Sequence, residues 1–128
     1  MKRLKDPPAP DMTVAADELS RLAHECANPN WDGYGAAPVA RETYLQARAF
    51  LDVLPLTTPV PSVGAEPDGH ITLEWYSSPR HLLSISVSPE GDLHYAALIG
   101  PAKAYGTEPF HGDVPHSLLD LIRRVSTI

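Results

Sequence analysis

One cysteine, Cys26, among 128 residues leaves no internal disulfide available and suits a reducing compartment, which makes the cytoplasm the expected location. No stretch approaches the roughly 20 consecutive apolar residues of a membrane span, so a soluble chain without membrane insertion is expected. Basic residues are also scarce. Lys and Arg number 10 against 16 Asp and Glu, for a formal net charge of −6. Lys2, Arg3 and Lys5 all stand in the first few residues, so the rest of the chain is more acidic still. That balance argues against direct nucleic-acid binding and favours a basic protein partner. The acids are scattered rather than stacked, which also argues against mimicry of a nucleic-acid backbone.

The motifs of common chemistries are missing as well. Gly33 and Gly35 give a Gly-x-Gly without the remaining glycine or preceding strand of a phosphate loop. Ser77, Ser78, Ser84, Ser86 and Ser88 lie in or beside strand-like segments with no Gly-x-Ser-x-Gly elbow. The six histidines, His24, His70, His81, His94, His111 and His116, show neither His-x-x-x-His nor Cys-x-x-Cys spacing. His111 and His116 with Asp113 make the best local cluster, for which an exposed loop is the simpler account. Cys26 falls on an apolar stripe and reads as a small core residue. No cofactor and no metal are expected.

Proline, in contrast, is abundant, at 14 residues. Those in Pro7 to Pro10 mark a tail over residues 1–10 that can bury almost nothing, and those in Pro55 to Pro61 mark a connector. Residues 11–128 then form one domain, with one core. From Thr13 to Cys26 the positions Val14, Ala15, Leu19, Leu22, Ala23 and Cys26 recur at helical spacing, as do Tyr44, Leu45, Ala47, Phe50, Leu51 and Leu54 after Pro38. The period then drops to two. Val60 to Val63 suits an edge strand, and Ile71, Leu73 and Trp75 alternate with Thr72, Glu74 and Tyr76. Leu83, Ile85 and Val87 repeat the alternation, and Leu93, Tyr95, Ala97 and Ile99 continue it. Gly100 to Gly112 has no period and reads as a long loop with a short extended piece near Lys103 to Tyr105. Leu118, Leu119, Leu121, Ile122 and Val125 predict a final helix. The expected class is α+β: two N-terminal helices, an antiparallel meander of about four strands, and a C-terminal helix, ααββββα.

The segment Asn28 to Pro38 is the most specialised. It places Trp31, Asp32, Gly33, Tyr34 and Gly35 between two helices, where the glycines permit turns and Asp32 can cap one. Asn-Trp-Asp-Gly-Tyr-Gly-Ala followed by Pro38-Val39 resembles a segment of small bacterial proteins, mostly unnamed and often from phage, plasmid or other mobile contexts. The likeness covers Asn30 to Val39 closely and Asp68 to Trp75 loosely. Many of those sequences have Ser where Ala40 stands, so a helix cap is missing here. The resemblance implies a small fold and carries over no activity.

The plain structural reading of this loop makes Trp31 and Tyr34 plugs between helix and sheet. The functional reading makes Trp31, Asp32 and Tyr34, with Glu74 and Tyr76 on the wet sheet face, the contact surface for a protein partner. The favoured function is a non-enzymatic interaction module, such as a mobile-element inhibitor or antitoxin-like antagonist. The rival is a small enzyme or ligand-binding protein using Glu74 and His94 on neighbouring strands, with Asp32 as a further group. Self-association through an edge strand or the last helix is a third reading.

Overall fold

The computed structural model describes residues 10–126. Its elements are α1 (Pro10–Glu25), α2 (Arg41–Asp52), β1 (Ser62–Ala65), β2 (Ile71–Ser78), β3 (His81–Val87), β4 (Asp92–Ile99), β5 (Ala102–Pro109) and α3 (His116–Ser126). The α+β class and the helices match the sequence reading. The expected tail lies outside the described residues except for Pro10, which opens α1 ahead of the expected start at Asp11 or Thr13. Proline is suited to the first turn of a helix, where its missing N–H has no intrahelical role.

The strands form one five-stranded antiparallel sheet in the order β1-β2-β3-β4-β5, a plain meander. The fifth strand corrects the expected long loop. Ala102 to Pro109 pair with Ile99 to Asp92 along the whole of β4, without a bulge. The core-side positions of β5 are Ala102, Ala104, Gly106 and Glu108, so apolar alternation is absent and main-chain pairing makes the strand. Gly106 is fitted to its place: a β-carbon there would lie 2.8 Å from the Tyr95 hydroxyl. Just beyond the strand, Phe110 is buried and meets Phe50 edge to face, ring centroids 5.6 Å apart.

All three helices cover one face of the sheet. α1 packs on α2 and β1, α2 on β2 and β3, and α3 on β2, β3 and β4. Period two puts Ile71, Leu73, Trp75, Leu83, Ile85, Val87, Leu93 and Ala97 on that face, where they are buried with Leu19, Phe50, Leu51, Leu118 and Val125. The Trp75 indole N–H donates to the Pro59 carbonyl at 2.7 Å, tying the connector to the core. Cys26 is a buried core residue, as expected. Val14 and Leu45, assigned to apolar helix faces from spacing, are exposed. Leu45 stands across its helix from the buried Ala47 and Phe50, and Val14 about a third of a turn away from the buried Ala15 and Leu19, so neither reaches the core.

Candidate functional site

The Asn28 to Pro38 segment is a braced turn. Asn30 sits at φ 63, a left-handed conformation that asparagine tolerates, and its side-chain Oδ1 accepts from Gly35 N at 2.6 Å. Asp32 Oδ1 accepts from Tyr34 N at 2.8 Å and from Ala36 N at 3.1 Å. The half-buried Trp31 packs against the core, and its Nε1–H donates to the Ala37 carbonyl at 2.7 Å. Ala37 N in turn donates to the Pro67 carbonyl at 2.8 Å, and Val39 N to the Cys26 carbonyl at 2.8 Å. The approach to the β1–β2 turn is close. Gly69, at φ 89, would carry a β-carbon 2.6 Å from the Pro38 carbonyl oxygen. Trp31 therefore faces inward and the half-buried Asp32 commits its Oδ1 to the turn, whereas Tyr34 at its tip is 92% exposed.

Glu74 and Tyr76 lie elsewhere, on the sheet face opposite the helices. Tyr76 is 61% exposed and stands opposite Leu82, near the far end of β2. The turn that receives the Trp31 loop precedes Ile71, so Tyr76 lies about 17 Å further along the strand. The five sequence-predicted contact residues thus divide between a brace with one exposed tyrosine and a separate sheet face.

Register resolves the rival pair. Glu74 opposes Ser62 and Ser84, and His94 opposes Ser86 and Thr107. They share a face, but β3 runs between their strands and they occupy different rows, so no acid-base pair forms. His94 instead stacks with His70, centroids 6.0 Å apart and planes 9° apart. His70 Nδ1 shares a hydrogen bond with Ser86 Oγ at 3.2 Å, and His94 Nδ1 with Thr107 Oγ1 at 2.9 Å. Thr72 Oγ1 donates to Glu66 beside them. The parity of His70 and His94 was readable in the sequence, but their meeting across Ser86 depends on register. Among the described residues, no group of three or more His, Cys, Asp or Glu is placed to hold a metal.

The other end of this face is apolar. Tyr76, Leu82 and Leu98 lie in one cross-strand row, with Ala96 and Tyr105 in the next. Leu82, Ala96, Leu98, Lys103 and Tyr105 line a shallow groove of about 290 Å³. Tyr105 is 81% exposed and, like Leu82 and Leu98, was not singled out from sequence. The available signal was that polar-side positions 82 and 98 are leucine.

The titration shifts lie outside these surfaces. Burial, then the neighbouring Glu25, pushes the Cys26 thiol up. The Ser20 hydroxyl hydrogen-bonded to Tyr44 is the main cause lowering that phenol.

Comparison of the chain with protein-family models, curated proteins and solved structures finds no match.

Proposed function

We propose that the chain is a non-enzymatic protein-interaction module whose contact surface is the helix-free face of the sheet. The observation that carries the reading is the apolar row Tyr76–Leu82–Leu98 beside Ala96 and Tyr105 on a face that none of the described helices covers. Tyrosines on a rigid sheet lose little entropy on binding and are favoured as interface anchors. Glu74 stands in the same row as Ala96 and Tyr105, next to the row of His94, and the net charge is −6. These features suit a partner that presents apolar side chains flanked by Lys or Arg. The module acts by occupying that partner, the behaviour of an inhibitor or antitoxin-like antagonist.

Affinity capture from the source cell tests this with three tagged proteins: the wild type, Leu98→Ser and Tyr34→Ala, each shown to be folded by circular dichroism. The reading expects one stoichiometric protein retained by the wild type and Tyr34→Ala and lost with Leu98→Ser. Loss with Tyr34→Ala alone would move the contact to the loop. Retention by all three would remove the sheet face from consideration.

A further inference from the structure

The last strand has an open edge. Among the described strands β5 pairs only with β4, and it continues for eight residues; α3 reaches it from the helix side, where Ser117 Oγ donates to the Glu108 carboxylate at 3.1 Å. Which of its main-chain groups face outward follows from the ladder. Phe110 N donates to Gly91 O at 2.9 Å, which extends the register in which Pro109 faces Asp92. Antiparallel bonded pairs recur at every second residue, so Glu108, Gly106, Ala104 and Ala102 spend their N–H and C=O groups on β4. The other side of β4 agrees: Gly100 N donates to Arg80 O, and Ser88 N to Asp92 O. Lys103, Tyr105 and Thr107 therefore direct their N–H and C=O groups away from the sheet. Pro101 and Pro109 share their parity and have no N–H.

This edge is symmetric about Tyr105. We propose that β5 pairs antiparallel with β5 of a second copy of the chain, centred on Tyr105, joining two sheets into one. In that register Tyr105 faces Tyr105, Lys103 faces Thr107 of the second copy, and Pro101 faces Pro109. About six main-chain hydrogen bonds form, and every outward donor meets a carbonyl. A shift by one pair in either direction would set a proline against Lys103 or Thr107 and leave a carbonyl of that residue unmet. The charges are compatible, because Glu108 faces Ala102 and no like charges oppose each other. The two-fold axis is perpendicular to the sheet, so the helix-free faces of both copies become continuous and the Tyr105 side chains meet across the axis. The occupant is a second copy because the spacing of donors and prolines matches itself when reversed. The inference needs no other protein and stands apart from the preceding proposal.

Sedimentation velocity from micromolar to near-millimolar concentration tests it, with Thr107→Pro as the variant. That substitution removes an outward donor and leaves every main-chain bond to β4 in place, losing only the side-chain bond between Thr107 Oγ1 and His94 Nδ1. The wild type is expected to sediment as a dimer at the upper concentrations, and Thr107→Pro as a monomer with an unchanged circular dichroism spectrum. Amide exchange supplies a readout that needs no variant: the Lys103, Tyr105 and Thr107 amides should slow by about tenfold or more over the same range. A wild type that stays monomeric, a dimer that survives Thr107→Pro, or exchange at these amides that does not vary with concentration would overturn the proposal.

Discussion

Replacing Gly69 with alanine tests the close seating of the Trp31 loop on the sheet. Its cost has two parts. A left-handed conformation costs a non-glycine L-residue about 1–2 kcal/mol. The new β-carbon would also stand 2.6 Å from the Pro38 carbonyl oxygen, a main-chain atom that cannot swing aside. Relief requires Pro38 to move, and its neighbours Ala37 and Val39 donate the bonds that hold the loop to Pro67 and Cys26. Losing one such bond costs about 1 kcal/mol, so the total is about 2–3 kcal/mol. Gly33 supplies the control: its φ is 81, but nothing lies within 4 Å of a β-carbon there, so Gly33→Ala carries the backbone cost alone. At about 4 °C per kcal/mol for a domain of this size, Gly69→Ala should melt about 8–12 °C below the wild type and Gly33→Ala about 4–8 °C below it, the difference of about 4 °C being the lost bond. Thermal unfolding by circular dichroism, with urea titration to confirm two-state behaviour, measures both. Equal losses for the two variants would refute the close-approach argument.

Asp32→Ala removes the acceptor of two main-chain N–H groups and should cost about 1–3 kcal/mol, while Asp32→Asn keeps an Oδ1 acceptor and should cost clearly less; chemical denaturation separates them. Ala40 is the N-cap of α2 and makes no side-chain cap bond, so Ala40→Ser should raise stability by about 1 kcal/mol, seen as a melting temperature about 4 °C higher. Cys26 is 4% exposed, so its alkylation at pH 8 should be about a hundredfold slower in the native protein than in urea. Its native thiol pKa is raised, so the stability linked to it is complete below the unfolded-state value and declines as pH rises through the native value. The wild type should therefore lose stability relative to Cys26→Ala above about pH 8.5, measured by denaturation across pH.

The strands β2, β3 and β4 were legible because each lays large apolar residues on a helix-covered face, and period two follows from that burial. β5 was not, because an edge position demands no large side chain: Ala104 and Gly106 fill its core side, and the strand is specified by main-chain bonds to β4. The loop at Trp31 was recognisable as shaped from its glycines and Asp32. Its inward orientation depended on a contact with Pro67 and Gly69, more than 30 residues away, which local pattern does not encode. The candidate surface was half visible. Glu74 and Tyr76 have the right parity, whereas Leu82, Leu98 and Tyr105 join them only through register. The same dependence on register separates Glu74 from His94 and brings His70 to His94 instead.

The central claim is that the helix-free sheet face meets a protein partner. A photoreactive amino acid placed in turn at Tyr76, Tyr105 and Tyr34, followed by irradiation of the source cells, tests it most directly. The account predicts one discrete protein adduct from positions 76 and 105 and none from position 34. An adduct from position 34 with none from 76 or 105 would contradict it.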